Sequence, residues 1–274
     1  MTISSLLSTI VVYMAFSLAG LFSKPQTGFS MEFVDVGQGD SIYITTKHGK
    51  KILIDGGDNY TIDYELAKKM PFYSCNLDVV ILTHPHYDHL NGLNRILNRC
   101  KISTLMFNDV DFSSKGFSDF KETSKKINAK NLFKGDEFEI DDVSFKVLWP
   151  SKEFTQQKGA DINDTSIVLF VDYGDFEAFL LGDVNDSTLS NLDLSSIKPL
   201  IAGDLEAIKV SHHGSKYGLD EQFYLDLKPR NCIIEVGKDN KFGHPNKEVL
   251  EFLESIKCNI LRTDLMGNIV LKVL

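Results

Sequence analysis

Histidine and aspartate side chains are concentrated in a short segment that directly follows a buried-strand pattern. Residues 77–82 read LDVVIL, a continuous apolar run typical of a strand covered on both faces. The next eight positions include four metal-capable side chains: His84, His86, Asp88 and His89. A strand end followed by a loop aims alternate side chains into one site, so the two earlier histidines can bind one metal while the later pair reaches a second. Packing alone does not explain this density, and we predict a metal site.

A carboxylate and a pair of histidines follow two other strand patterns. The two oxygens of Asp183 could bridge two metal ions, as dinuclear hydrolytic sites require. Of His212 and His213, one imidazole can complete the second metal's shell while the other contacts a substrate phosphate or donates a proton. Their order alone does not decide between them, and we place His212 with the ligands and His213 with the catalytic residues. His244 is a ligand, a phosphate contact or a loop-fixing residue, and we group it with Asp88 as catalytic.

The rest of the sequence alternates strand patterns with helix patterns. Short apolar runs predict strands at 32–36, 41–46, 51–54, 77–82, 143–149, 166–172, 176–181, 207–210, 232–236 and 268–273. Apolar residues at helical spacing predict helices at 90–97, 117–127, 219–227 and 247–256. Strands dominate each half with helices between them, so we expect an α/β fold in which two mixed sheets pack face to face with helices outside.

The N-terminal segment differs from the rest of the chain. Residues 3–22 carry no charge and are long enough to span a bilayer as a helix. Ser17, Ala19 and Gly20 fit a signal-peptidase site, so the segment is expected to be a signal peptide or a membrane anchor. We therefore divide the chain into a leader with linker, 1–28, and a globular domain, 29–274. The domain is expected to be secreted, periplasmic or membrane-anchored, with its orientation open.

Composition narrows the classes of protein. The chain has 29 Lys and Arg against 38 Asp and Glu, a net charge of −9, which argues against binding nucleic acid by bulk charge. The lysines between 121 and 134 are interpreted as a solvated helix face, with a phosphate contact as the alternative. The four cysteines lie far apart without a C-x-x-C pair, and we expect most of them to be small buried apolar residues.

The histidine segment resembles the H-x-H-x-D-H signature of the metallo-β-lactamase superfamily. Further segments resemble the C-terminal hydrolase domain of ComEC-type DNA-uptake proteins over about residues 31–274: 35–41 (DVGQGDS), 53–57 (LIDGG), 83–86, 163–169, 181–183, 211–215 (SHHGS) and 243–245 (GHP). The resemblance implies a four-layer αββα sandwich with a site for two divalent metal ions, Zn²⁺ or Mn²⁺.

The resemblance also implies roles for individual residues. One metal would be bound by His84, His86 and Asp183, and the other by Asp88, His89, Asp183 and one of His212 or His213. Four residues would support the ligands without binding metal: Asp40, Asp55, Asn163 and Ser166. Zinc-dependent β-lactamases have a further histidine in the region between residues 89 and 212, where this sequence has none. One metal would therefore have an open shell, which argues against β-lactam hydrolysis.

The implied reaction is hydrolysis of a phosphodiester. DNA is the leading substrate, because the ComEC-type domain is associated with degrading the strand that is not imported. One alternative is a phosphodiesterase for small or cell-surface esters such as phosphorylcholine esters. Another is a catalytically silent partner of a separate membrane channel, against which the full set of metal-capable residues argues. Only one apolar segment precedes the domain in this sequence, so we do not expect this chain to transport DNA by itself. The leader could attach the chain to a membrane. The sequence defines no protein partner.

Overall fold

The computed structural model describes residues 28–70, 74–201 and 203–273. The apolar segment 3–22 lies outside these ranges, so its expected role as a signal peptide or membrane anchor stays a prediction. Within the described ranges, no helix combines the length and the apolar character needed to cross a membrane.

The strands of the described chain form two sheets of seven strands each. The first sheet contains β1 (Phe29–Phe33), β2 (Ile42–Thr45), β3 (Lys51–Ile54), β4 (Asn76–Ile81), β5 (Lys101–Met106), β6 (Ala129–Lys130) and β14 (Ile269–Val273). The second contains β7 (Glu137–Ile140), β8 (Val143–Trp149), β9 (Val168–Tyr173), β10 (Phe176–Leu180), β11 (Ala207–Lys209), β12 (Asn231–Ile234) and β13 (Asn259–Arg262). Their spatial orders are β14-β1-β2-β3-β4-β5-β6 and β13-β12-β11-β10-β9-β8-β7.

Helices cover the outer face of each sheet. Three follow strands of the first sheet: α1 (Thr61–Lys69), α2 (Tyr87–Arg99) and α3 (Lys115–Ser124). Five lie later in the chain: α4 (Lys152–Thr155), α5 (Asp186–Leu189), α6 (Glu221–Leu227), α7 (Lys247–Ser255) and α8 (Thr263–Met266). Apolar side chains of α1, α2 and α3 pack on the first sheet, and those of α5, α6 and α7 pack on the second.

A shared apolar core fills the space between the two sheets. Alternate residues of each strand point into it, as Ile42 and Ile44 of β2 do, whereas Tyr43 between them packs against the outer helices. Both faces of the central strands are therefore buried, which explains their nearly continuous apolar sequences. The arrangement is the four-layer αββα sandwich that the sequence predicts.

The predicted elements differ from the observed ones where the chain approaches the site. A strand was expected at 32–36, but β1 ends at Phe33, because the following residues form the loop that carries Asp40. Eight observed elements were not predicted: α1, α4, α5, α8, β5, β6, β7 and β13. Among them, β5 has only two buried residues and β13 has none, so neither strand is a continuous apolar run.

The cysteines correct a further expectation. They form two disulfides, Cys75–Cys100 and Cys232–Cys258, and so are not simple apolar residues, although all four are buried as expected. Each bridge spans a strand–helix–strand unit with parallel strands, β4-α2-β5 in one sheet and β12-α7-β13 in the other. The bridged residues are 25 and 26 positions apart, so only the parallel strand pairing brings the thiols together.

Candidate metal centre

The site residues lie at the carboxyl ends of neighbouring strands in both sheets. Asp55 follows β3 and His84 comes shortly after β4, and these two strands are parallel neighbours. In the facing sheet Asp183 comes shortly after β10, and the histidine pair follows its parallel neighbour β11. Carboxyl ends of parallel strands meet at one edge of a sheet, so segments far apart in sequence converge. All the motif residues predicted from the sequence therefore lie along one edge of the sandwich.

Two glycines allow the loops of this edge to approach one another. A Cβ atom at Gly39, where φ is +119°, would lie 1.9 Å from the carbonyl oxygen of Asp88. At Gly182, where φ is +54°, a Cβ atom would lie 2.8 Å from the Cβ of Ser166. Side chains at either position would push apart the segments that carry site residues. Gly182 therefore leaves room for Ser166 next to Asp183.

Two groups of ligand atoms share one carboxylate oxygen. In the first group, His84 Nε2 lies 3.2 Å from His86 Nδ1 and 4.0 Å from Asp183 Oδ2. In the second group, the same Oδ2 atom lies 3.2 Å from His89 Nε2 and 3.2 Å from His213 Nε2. His213 Nε2 is also 3.5 Å from Asp88 Oδ2. The predicted ligands on both sides of the sandwich therefore come together around Asp183.

The residues present fit a divalent metal ion. His213 Nε2 is buried and has no hydrogen-bond partner, although it faces two carboxylates, as a nitrogen aimed at a metal would. The ligand atoms of Asp40, His89, Asp183 and His213 all lie within 4.8 Å of one another. Imidazole nitrogens with carboxylate oxygens and no thiolate suit Zn²⁺, Mn²⁺ and related first-row ions.

Carboxylates behind the histidines fix the orientation of the rings. Asp55 accepts hydrogen bonds from His89 Nδ1 (2.8 Å) and from the backbone and hydroxyl of Thr83 (2.8 and 2.6 Å). His89 therefore presents Nε2 to the centre. His213 Nδ1 donates a hydrogen bond of 2.9 Å to the Glu235 carbonyl oxygen and lies 3.2 Å from Asp40 Oδ1, so Nε2 of that ring is left for the centre. Asp55 lies behind His89, whereas Asp40 lies close enough to His89, Asp183 and His213 to belong to the same candidate metal group, so the supporting role of both residues stays a prediction.

The buried Lys209 is a site residue that the sequence analysis missed. Its ammonium group lies 2.5 Å from Asp40 Oδ2, 2.8 Å from the Gly182 carbonyl oxygen and 3.4 Å from Asp183 Oδ1. It therefore pairs with one oxygen of Asp183 and leaves the other to the histidines. The signal was present in the sequence, because a lysine inside the apolar strand β11 rarely occurs unless its charge is paired.

Glu235 is a second missed residue, at the end of β12. The side chain is fully buried, and Oε1 accepts a hydrogen bond of 2.9 Å from the Ser41 backbone, next to Asp40. Its carbonyl oxygen is 2.9 Å from His213 Nδ1, so the same residue helps to orient that ring. Burial and the charge of Asp40 raise the pKa of the Glu235 carboxyl well above its usual value. We see no sequence signal that would have assigned it to the site.

The charged side chains of the centre shift one another's pKa values. Burial would raise the pKa of Asp183, but the charges of His213, His89 and Lys209 outweigh it and hold this pKa well below its usual value. Burial would lower the pKa of His213, but Asp183 and Asp40 raise it well above its usual value. The pKa of His89 rises for the same kind of reason, whereas burial lowers that of His84. A metal ion must therefore displace protons from two imidazoles.

The histidine pair has the reverse arrangement of the one expected. The structure brings His213, not His212, to Asp88 and Asp183. Both residues have a left-handed backbone, with φ of 50° and 54°, and their ring planes are 73° apart. The two rings therefore point in different directions, which the order of residues in the sequence could not show. His212 instead lies beside His244, with 5.7 Å between the ring centres.

The remaining predicted residues occupy the rim and the support of the site. His244 is half-buried, and its Nδ1 atom is buried without a hydrogen-bond partner. Burial, together with the charges of His213 and His212, lowers the pKa of His244 to about 4. Ser166 Oγ accepts a hydrogen bond of 3.1 Å from the Asp183 backbone, so it positions the shared carboxylate. Asn163 lies in a short 3₁₀ turn, with a buried side-chain oxygen that has no hydrogen-bond partner.

Comparison with known families agrees with the fold and the centre. The model of the metallo-beta-lactamase superfamily matches residues 34–211, a range that contains the candidate ligands up to Asp183 but neither the histidine pair nor His244. Together with the αββα sandwich and the His/Asp cluster, this match shows that the chain belongs to the metallo-β-lactamase superfamily. The chain thus combines the fold of that superfamily with a candidate site for divalent metal.

Competence proteins of the ComEC type are among the curated relatives. The chain is 30% identical over 264 residues to ComE operon protein 3 of Bacillus subtilis (strain 168), covering 87% of this chain and 32% of that protein. It is 26% identical over 251 residues to Recombination protein 2 of Haemophilus influenzae, covering 90% of this chain and 29% of that protein. The chain thus spans about a third of the length of these relatives.

Among solved structures, the metallo-beta-lactamase fold protein YhfI from Bacillus subtilis is similar. It matches with a TM-score of 0.59 at 10% identity, over 90% of this chain and all of that one (100%). At this identity the likeness concerns the fold alone, and it supports the sandwich architecture.

Proposed function

We propose that this chain is a metal-dependent phosphodiesterase that cleaves DNA. The observation that carries the proposal is the pair of ligand groups around one oxygen of Asp183, because enzymes that cleave phosphodiesters commonly use two metals bridged in this way. We assign His84, His86 and Asp183 to one ion, and Asp88, His89, His213 and Asp183 to the other. Zn²⁺ and Mn²⁺ are the candidates.

Divalent ions bound there would act as Lewis acids and activate water for attack on the phosphorus atom. The chain's own residues prepare this reaction. Asp55 holds the imidazole of His89, and the Glu235 carbonyl oxygen holds that of His213, with Nε2 of each ring toward the centre. Lys209 offsets part of the negative charge of the buried carboxylates. His212 and His244 lie beyond the ligands, where a neutral imidazole can hydrogen-bond to a substrate phosphate or transfer a proton.

DNA is proposed as the substrate because of the relatives named above, one of which is named a recombination protein and the other a ComE operon protein. The resemblance covers nearly the whole described domain, including the segments that form the centre. The proposal also includes an extracytoplasmic location. The two disulfides support it, because structural disulfides persist mainly in oxidising compartments.

The test is cleavage of end-labelled single-stranded DNA by the purified chain with added Mn²⁺ or Zn²⁺. Asp88→Asn and His84→Gln each remove a ligand and are expected to reduce cleavage about a hundredfold or more, since metal catalysis supplies several kcal/mol of the barrier reduction. The matched control is Asp175→Asn, because Asp175 is exposed in the turn between β9 and β10, at the end of β10 opposite to Asp183.

Cleavage that depends on metal and disappears in both ligand variants would support the proposal. Folded, metal-loaded protein that cleaves no DNA would overturn it. In that case a small phosphodiester, such as a phosphorylcholine ester, becomes the substrate to examine with the same variants.

A further inference from the structure

Two loops beside the metal centre each present an exposed aromatic ring with a lysine above it. Tyr217 is 64% exposed, and the ammonium group of Lys216 lies 5.3 Å from its ring centre. Phe242 is 44% exposed, and the ammonium group of Lys241 lies 5.1 Å from its ring centre. An aromatic face beside a mobile positive charge suits a nucleobase attached to a phosphate.

Ring contacts connect Phe242 to the centre. The Phe242 ring is stacked on His244, with 5.8 Å between ring centres and 23° between planes. His244 in turn contacts His212, with 5.7 Å between the ring centres, and His212 is the chain neighbour of His213. Phe242 is therefore connected through two rings to the residue beside the ligand His213.

Hydrogen bonds hold this loop in place. Asn240 Oδ1 accepts hydrogen bonds from the Phe242 and His244 backbone N–H groups, both 3.1 Å long, and Asn240 Nδ2 donates one of 2.6 Å to the His244 carbonyl. Asn246 joins the two loops, because its side chain accepts from the Lys216 backbone (2.8 Å) and its own N–H donates to the Gly214 carbonyl (2.8 Å). The exposed ring is thus fixed by its backbone, as a preorganised binding surface requires.

A cavity adjoins the same loop. Its volume is about 560 Å³, and His244 lines it together with Lys238, Asp239 and the ion pair of Arg262 with Asp264. A space of this size is typical of small-ligand sites and accommodates a nucleotide.

We propose that Phe242, with Lys241, forms a stacking subsite for an unpaired nucleobase close to the scissile phosphate, and that this subsite selects single-stranded nucleic acid. In a duplex the base faces are covered by neighbouring pairs, so an aromatic side chain can stack only on an unstacked or terminal base. A small phosphodiester has no base to place there. The inference rests on the proposed phosphodiesterase function and specifies the form of the substrate.

The experiment uses end-labelled oligothymidylate in which one residue is replaced by an abasic analogue. In the wild-type chain, cleavage is expected to fall about tenfold at a fixed distance from the abasic position, because base–aromatic stacking is worth about 1–3 kcal/mol and tenfold is about 1.4 kcal/mol. Phe242→Ala is expected to be about tenfold slower on intact oligothymidylate and to show no further loss at the abasic position. Phe242→Trp should keep the wild-type pattern.

The matched control is Tyr64→Ala. Tyr64 is 65% exposed with Lys68 over its ring at 4.4 Å, but it lies on α1, outside the two loops. Metal affinity is measured for every variant, and the stacking role requires that Phe242→Ala binds metal as the wild type does. A merely structural effect of Phe242→Ala would leave the abasic position as inhibitory as in the wild type.

The outcomes separate this inference from the proposed function. If the wild type cleaves but Phe242→Ala behaves like Tyr64→Ala, or remains sensitive to the abasic position, the stacking subsite is overturned and the phosphodiesterase stands. If no variant cleaves, fluorescence anisotropy with labelled oligothymidylate decides. Binding weakened about tenfold by Phe242→Ala supports the subsite without the nuclease, and absent or unchanged binding overturns both.

Discussion

At the scale of residues, the centre depends on which nitrogen of each histidine faces inward. Asp55 and Asp40 contact the Nδ1 atoms of His89 and His213, so Nε2 is left for metal in both rings. The same carboxylates, with Asp183, raise the pKa of these imidazoles. The buried carboxylates around the two histidines therefore influence both the orientation of the imidazoles and their pKa values.

Metal affinity is expected to increase with pH. Because the surrounding carboxylates raise the pKa values of His89 and His213, both rings hold a second proton more tightly than a free imidazole does, and a metal ion must displace that proton from Nε2. Affinity should rise about tenfold per pH unit for each displaced proton and level off above the raised pKa values. Competition with a chelator at several pH values measures this. Equal affinity at about pH 6 and about pH 8 would contradict the protonated metal-free state.

At the scale of elements, strand ends and loops must approach closely for the ligands to meet. The loop between β1 and β2 carries Asp40 and passes directly against the first turn of α2, where Asp88 lies. Close contact of this kind depends on a residue without a side chain, which is Gly39. In the sequence pattern DVGQGDS, Gly39 thus allows the close approach to α2, and Asp40 supplies a carboxylate to the site.

Gly39→Ala is expected to displace Asp88 and to weaken both stability and metal binding. The new Cβ atom would meet the Asp88 carbonyl at 1.9 Å, so the loop or the helix must move, at a cost of about 2–4 kcal/mol in the free energy of unfolding. The matched control is Gly135→Ala. Gly135 also has a positive φ, but a Cβ atom added there would meet no other atom within 4 Å. The expected cost is therefore only the backbone strain, about 1–2 kcal/mol in the free energy of unfolding. Urea unfolding and metal titration of the two variants provide the comparison, and equal losses would count against the close-contact argument.

At the scale of the whole molecule, a disulfide stabilises each of the two sheets. Each sheet contains one disulfide across a strand–helix–strand unit, Cys75–Cys100 in the first and Cys232–Cys258 in the second. The site lies where the two sheets meet, so both bridges stabilise the scaffold that holds the ligands together. This use of cysteine agrees with the proposed extracytoplasmic location.

Reduction of the disulfides is expected to destabilise the chain. Closing loops of 25 and 26 residues restricts the unfolded state, and each bridge should contribute about 3 kcal/mol to the free energy of unfolding. Alkylation without reductant should modify none of these four cysteines. Denaturant unfolding with and without reductant measures the contribution of the disulfides to the free energy of unfolding. Unchanged unfolding after complete reduction would contradict the stabilising role, and the double variant Cys75→Ala/Cys100→Ala isolates one bridge.

The sequence by itself determined the family, the layered α/β fold and the cluster of metal-capable residues. These follow from local patterns: apolar strands of period two or continuous burial, and histidines spaced within one short segment. Tertiary structure decided what depends on direction and on distant contacts. It placed His213, and not His212, beside Asp183, because the left-handed backbone of both residues turns their rings in different directions. It brought Lys209 and Glu235 into the centre and paired the cysteines, since only strand pairing places these residues beside partners remote in sequence.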